Sequence, residues 1–145
     1  MLTFRTIDRH NFRDILALSV GEDQREFVAT NAYSLAQAKA QPECVPLALY
    51  EGDTPVGFCM YGLDVNDREY WIYRLMIHKD YQSRGYGRQA LTRLLDRILL
   101  DKNHHMVFLS CNPKNLWGRK LYESVGFRPD GRTTHGEIVY QWIEK

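Results

Sequence analysis

Hydrophobic positions along the chain recur in two rhythms, and the alternation between them lays out the elements. Leu2-Ile7 reads as a short strand. Asn11-Ser19 then carries Phe12, Ile15, Leu16 and Leu18 at helical spacing, and Tyr33-Ala40, rich in helix formers, stops before Pro42. Val45-Tyr50 and Val56-Leu63 are apolar runs separated by Glu51-Gly52-Asp53-Thr54-Pro55, which predicts a hairpin. Tyr70-His78 is a third strand, dense in aromatic and β-branched residues. Ala90, Leu91, Leu94, Leu95, Ile98 and Leu99 repeat at helical intervals, and Met106-Cys111 is a short apolar strand. Asn115-Val125 predicts an amphipathic helix burying Leu116, Trp117, Leu121 and Val125, with Gly126 suited to the left-handed residue past its end. Glu137-Ile143 closes the chain as a strand. The order is that of a mixed α/β (α+β) fold, expected to form one domain over residues 1-145.

Composition narrows the setting. Of the 145 residues, 44% are hydrophobic and 26% charged, ordinary for a globular protein. No apolar run reaches the roughly 20 residues a membrane helix needs, and Met1-Leu2-Thr3-Phe4-Arg5 lacks a secretory layout; a cytoplasmic location without membrane contact is expected. Cys44, Cys59 and Cys111 are odd in number and widely spaced, so neither a disulfide framework nor a metal site is expected. The net charge of +1 divides unevenly. Met1-Glu69 holds 6 Lys/Arg against 11 Asp/Glu, and Tyr70-Lys145 holds 13 against 7. A basic second half suits a polyanionic cofactor and an acidic first half a cationic ligand, although solvated faces could divide the charges the same way. The near-neutral total, with no concentrated basic face, argues against a nucleic-acid partner.

Gln82-Ser83-Arg84-Gly85-Tyr86-Gly87 lies between the third strand and a strong helix. A helix amino terminus offers unpaired N–H groups and the positive end of a dipole, so it binds phosphate oxygens. Glycines let the backbone approach such an anion, and Arg84 and Arg88 add positive charge. Taken alone, the stretch equally describes a tight turn with two solvated arginines, since it is neither GxGxxG nor a P-loop.

Its context resembles the GNAT family of N-acetyltransferases. That family's first motif has Gln or Arg, two variable residues, Gly, one variable residue, then Gly or Ala; Gln82, Gly85 and Gly87 stand at those positions. Tyr73-Arg74-Leu75-Met76-Ile77-His78 is similar to the strand before that motif. Asn112-Pro113-Lys114-Asn115, followed by Leu121-Tyr122-Glu123-Ser124-Val125-Gly126-Phe127, is similar to the second motif. The resemblance covers essentially the whole chain. It implies a central mixed, mostly antiparallel sheet of six to seven strands with about four helices, and acetyl-CoA as co-substrate without a metal. The pantetheine arm would run along Leu75, Met76 and Ile77. The pyrophosphate would lie on the amides from Gln82 through Ser83, Arg84, Gly85, Tyr86 and Gly87 to Arg88, with Asn115 bonding the pantetheine. Family members are often homodimers.

Acyl transfer to an amine needs a neutral nitrogen, stabilisation of the oxyanion and a proton for the departing thiolate. The resemblance gives Tyr122 the last role, which a phenol of ordinary pKa about 10 can fill, and gives a backbone N–H near Leu75 or Met76 the second. A tyrosine merely packed on its helix would look the same. Glu26, Glu69, Tyr73 and Glu137 are the candidate bases; the histidines read as surface or loop residues. Cys111 could carry an acetyl group in principle, but a small buried residue fits it better, and the family transfers directly in a ternary complex. Gly21-Ala36, Tyr70-Ile77 and Gly136-Val139 are similar to the bacterial spermidine/spermine branch. Binding a polyamine takes spaced carboxylates with aromatic faces between them, here Glu22, Glu26, Glu69 and Glu137 with Tyr33 and Tyr73, besides Asp23, Phe27 and Trp71. A solvated helix start would also explain Glu22, Asp23 and Glu26. Another acceptor remains open (an amino acid, an antibiotic amine, a protein amino terminus or lysine), as does a non-enzymatic CoA-binding regulatory domain.

Overall fold

A computed structural model describes all residues from Met1 to Lys145. The elements follow the order β1 (Leu2–Arg5), α1 (Phe12–Leu16), a 3₁₀ helix (Glu22–Phe27), α2 (Asn31–Ala40), β2 (Cys44–Glu51), β3 (Thr54–Leu63), β4 (Tyr70–Ile77), a 3₁₀ turn (Lys79–Tyr81), α3 (Tyr86–Ile98), β5 (Met106–Cys111), α4 (Leu116–Val125), β6 (Arg128–Thr134) and β7 (Glu137–Ile143). The strands form one sheet in the order β1-β2-β3-β4-β5-β7-β6, and only β4 and β5 run parallel. This is the mostly antiparallel seven-stranded sheet with four α-helices that the resemblance implied.

Two cores sandwich the sheet, which explains the continuous apolar runs in β2 to β4. Strand side chains alternate between faces. Leu47, Leu49, Leu75 and Ile77 join Leu91, Leu94 and Ile98 of α3 on one side. Ala48, Tyr50, Phe58 and Met76 face Ile15 on the other.

Besides β1, which stops at Arg5 rather than Ile7, and the unread 3₁₀ helix Glu22–Phe27, three elements differ from the sequence reading for a visible reason. Helix α1 ends at Leu16 rather than Ser19, because the next residues are drawn into tertiary bonds: the Ser19 amide donates to His78 Nδ1 at 2.9 Å, and its carbonyl accepts from the Lys79 amide at 2.9 Å. Helix α2 starts two residues early, at Asn31, where Thr30 Oγ1 accepts from the Tyr33 amide and caps it. Strand β6 is an edge of exposed polar residues, so it has no hydrophobic rhythm to read. Within α4, Leu116 is 66% exposed and Tyr122 takes the buried place expected for it.

The feature that makes a site is the parting of β4 from β5. They pair only at Tyr70–Val107 and Trp71–Phe108, although both strands run on. On the other side of β4 the register slips, with Tyr61 opposite Ile72 and Met60 opposite Arg74, so that Tyr73 forms a bulge.

Candidate active site

A cavity of about 290 Å³ fills the opening between the parted strands. Trp71 to Leu75 of β4, Ser110 and Cys111 of β5, Asn112, Asn115, Trp117 and Tyr122 near and on α4, and Glu137 of β7 line it, with Phe27 to Ala29 closing it from the segment before α2. A second cavity of about 140 Å³ lies over the start of α3, between Ile77, Gln82, Ser83, Gly85, Tyr86, Gly87, Arg88 and the side chains of Trp117 and Leu121. Trp117 is a wall of both.

The loop into α3 is built for close approach. Ser83 and Gly85 are both left-handed, at φ 65° and 82°. No side chain caps α3, so the amides of Tyr86, Gly87 and Arg88 keep the free hydrogens of a first helical turn. A Cβ on Gly85 would meet nothing within 4 Å, so the surface above it is open. Gly87 lets α4 come close: a Cβ there would stand 3.2 Å from Leu121 Cδ2 and 3.3 Å from Trp117 Cζ2.

The side chains expected around this loop divide. Gln82 turns inward, donating to the Ile77 carbonyl at 2.9 Å and pairing amide to amide with Gln24, so its side chain braces the loop and leaves only its backbone outward. Arg88 lines the second cavity while donating to Ser124 at 2.8 Å; Arg84 does not line it, and lies over the Tyr81 ring. Leu75 and Ile77 face the cavities, whereas Met76 packs into the opposite core beside Asn31, so only its backbone is available.

Tyr122 is 9% exposed, and its hydroxyl, bonded to no protein group, borders the larger cavity. Its ring is held edge-on by Phe127 at 6.2 Å and beside Tyr140 at 6.3 Å. Burial, reinforced by Cys111 and Glu137, pushes its phenol above the ordinary range. Asn115 caps α4, its Oδ1 accepting from the Gly118 amide at 3.0 Å, which leaves its Nδ2 for a ligand. Burial likewise pushes the Cys111 thiol up to about 11.

Of the nine residues expected to bind the acceptor, Phe27, Trp71, Tyr73 and Glu137 line the cavity, and Glu22, Asp23, Glu26, Tyr33 and Glu69 do not. Glu137 accepts a hydrogen bond from Ser110, and Tyr73 donates to Asp64 Oδ1 at 2.9 Å. Burial and that carboxylate push the Tyr73 phenol far up, so it holds its proton and is a poor base. Glu22 and Glu26 are exposed on the first 3₁₀ helix, where Glu22 pairs with Arg25. Glu69 sits in the β3–β4 turn, and Tyr33 is 63% exposed. The sequence reading did not single out Arg74, Ser110 or Gln24. Trp117 it read as core, since periodicity does not separate a cavity wall from a buried stripe.

Nowhere do three His, Cys, Asp or Glu side chains gather as metal ligands would, and no helix is long and apolar enough to cross a membrane.

Residues 7–127 match the model of the acetyltransferase (GNAT) family. The chain is 30% identical over 146 aligned positions to the spermine/spermidine N(1)-acetyltransferase of Bacillus subtilis (strain 168), and equally to a probable spermine N(1)-acetyltransferase of Bacillus subtilis subsp. natto (strain BEST195), each alignment covering 95% of both proteins. Among solved structures it superposes on an aminoglycoside acetyltransferase in complex with coenzyme A (TM-score 0.81, 14% identity, 99% of this chain and 95% of that one). It also superposes on the spermidine N-acetyltransferase of Vibrio cholerae in complex with CoA and spermine (TM-score 0.73, 18% identity, 97% and 92%). With parted strands, an uncapped glycine loop and a family match over most of its length, the chain belongs to the GNAT family of acetyltransferases.

Proposed function

We propose that this acetyltransferase moves the acetyl group of acetyl-CoA to a primary amine of a polyamine such as spermidine or spermine, directly, in a ternary complex. The observation that carries the reading is the pair of cavities sharing Trp117: one lies over free helix-start amides, the other holds an unpartnered tyrosine hydroxyl. The first fits a pyrophosphate, because those amides and the open space over Gly85 admit phosphate oxygens that a side chain would exclude. Bound acetyl-CoA supplies a thioester carbonyl, whose carbon gains the new C–N bond as the C–S bond breaks.

The chain's own groups do the rest. Backbone from Leu75 to Ile77, freed where β5 turns away, takes the pantetheine amides, and an N–H near Leu75 or Met76 holds the carbonyl oxygen as charge develops on it. Asn115 Nδ2 donates to the pantetheine. The amides from Gln82 through Gly85 to Arg88 hold the pyrophosphate. Tyr122, kept protonated by burial, gives its proton to the leaving sulfur and recovers one from solvent. Glu137, bordering the same cavity, accepts the proton that the attacking nitrogen loses. Glu22, Glu26 and Glu69 attract the cationic remainder of the acceptor from outside, and the exposed Tyr33 ring offers it an aromatic face.

The names of the 30%-identical relatives support the acceptor class. The test is free-thiol release over a panel of polyamines, amino acids, aminoglycosides and peptides. Turnover should be fastest with spermidine or spermine. No turnover of either would remove the polyamine, and turnover of nothing would favour a CoA-binding regulatory role.

A further inference from the structure

Arg74 stands in β4 one residue beyond the bulge, on the wall of the larger cavity. Its Nη1 donates to the Tyr73 carbonyl and its Nη2 to Gln37 Oε1, each at 2.8 Å, and both partners are uncharged. It takes part in none of the chain's ion pairs. Its Nε is buried with no hydrogen-bond partner at all. Arginine stays protonated in proteins, so this is a fixed positive charge without a salt-bridge partner, partly withdrawn from water, on which the Glu137 carboxylate acts only through space.

Such a charge would hinder the binding of an ammonium ion, but it favours the loss of that ion's proton, because a like charge disfavours the charged form of its neighbour. We propose that Arg74 lowers the pKa of the acceptor nitrogen bound in the larger cavity, so that the amine stands there neutral and nucleophilic at physiological pH. This rests on the reading of the protein as an amine acetyltransferase, and adds to it the residue that prepares the nucleophile. The proton passes from nitrogen to Glu137 or to water, leaving the lone pair that forms the C–N bond.

The other titratable groups around Arg74 do not supply this charge. Tyr33 faces it from α2 at 5.9 Å, Cys44 from β2, Tyr73 beside it on β4 and Glu137 from β7, while Cys111 and Tyr122 border the cavity. Burial pushes Cys44, Cys111, Tyr73 and Tyr122 upward, which keeps them neutral. Arg74 is thus the cation and Glu137 the anion on the cavity wall. For a polyamine the consequence is a division of labour: the reacting end loses its charge inside, and the distal ammonium groups keep theirs outside.

The test is the pH dependence of kcat with spermidine at saturating acetyl-CoA, in the wild type and in Arg74→Gln, Arg74→Lys and Gln37→Ala. The ascending limb of the wild type should lie below the free-amine value of about 10.4. Arg74→Gln should move it upward by about one to two pH units, with rates converging on wild type at high pH. Arg74→Lys and Gln37→Ala, which keep the charge, should leave it in place. If Arg74 only ties α2 to β4 through Gln37, its loss will scale kcat equally at every pH, and an unmoved limb in Arg74→Gln overturns the proposal alone. A wild-type limb already at the free-amine value overturns it without any variant, even if Arg74→Gln does not fold. A wild type that acetylates no amine overturns both this and the reading beneath it.

Discussion

Ser110 Oγ donates a 2.7 Å hydrogen bond to Glu137 Oε1, joining β5 to the first residue of β7 on the cavity wall. The bond fixes the carboxylate beside the space where an acceptor nitrogen would lie, and leaves it capacity for another donor. Glu137→Gln keeps the shape and removes the base. It should lower kcat/KM for spermidine about 10²-fold while acetyl-CoA affinity is unchanged. Ser110→Ala loses only the anchor, and should cost about 1 kcal/mol, near fivefold. A Glu137→Gln effect no larger than that of Ser110→Ala would take Glu137 out of proton transfer.

Tyr122→Phe tests the acid. Its ring would keep its packing against Phe127 and Tyr140, so acetyl-CoA should bind almost as before while kcat falls about 10²-fold. Burial raises the phenol's pKa, so the proton it must donate persists through pH values where a free tyrosine, near 10, would ionise. Its ionisation therefore adds no descending limb to the kcat profile below about pH 10. A descending limb at lower pH that vanished in Tyr122→Phe would contradict the assignment.

The parts of this site that were legible in the sequence are those where backbone geometry demands particular residues. Gly85 needs its positive φ and Gly87 its missing Cβ, so the turn was legible by itself, and the strand before it with the second motif after it marked it as a cofactor loop. Helix α3 was equally plain, because Ala90, Leu91, Leu94, Leu95 and Ile98 are buried at helical spacing. The illegible parts are those decided by tertiary contacts. Nothing local says that Gln82 will turn inward to Gln24, 58 residues away, or that Ser19 will leave its helix for His78. Arg74 did leave a trace, as the one charge within the run from Tyr70 to Ile77, but a strand buried on both faces hides which face that charge serves.

Gly85 separates geometry from charge at the cofactor loop. Alanine there would meet no neighbour, so Gly85→Ala costs only the left-handed strain, about 1–2 kcal/mol. Gly85→Glu adds to that strain a carboxylate in the mouth of the second cavity. By calorimetry, Gly85→Ala should weaken acetyl-CoA modestly and Gly85→Glu by about 10²-fold more, with added salt recovering part of the difference. Equal losses in the two variants would mean that no phosphate sits over this residue.

Cys111 decides between direct transfer and an acetylated enzyme. It borders the cavity with Tyr122, so its position alone would permit a covalent route. Its environment opposes one. Burial pushes the thiol up to about 11, Glu137 acts in the same direction, and its Sγ lies 3.5 Å from the Asn112 carbonyl oxygen, to which it donates. At neutral pH the thiolate, the form that attacks, is about 10⁻⁴ of the total. Cys111→Ala should therefore keep most of the wild-type kcat, at a cost of about 1 kcal/mol in stability for the small void it leaves. Initial rates against both substrates should give intersecting lines, as a ternary complex requires, and protein incubated with acetyl-CoA alone should gain no mass. Parallel lines together with an acetyl adduct on Cys111 would require the covalent route, and would move Tyr122's proton transfer to the acylation step.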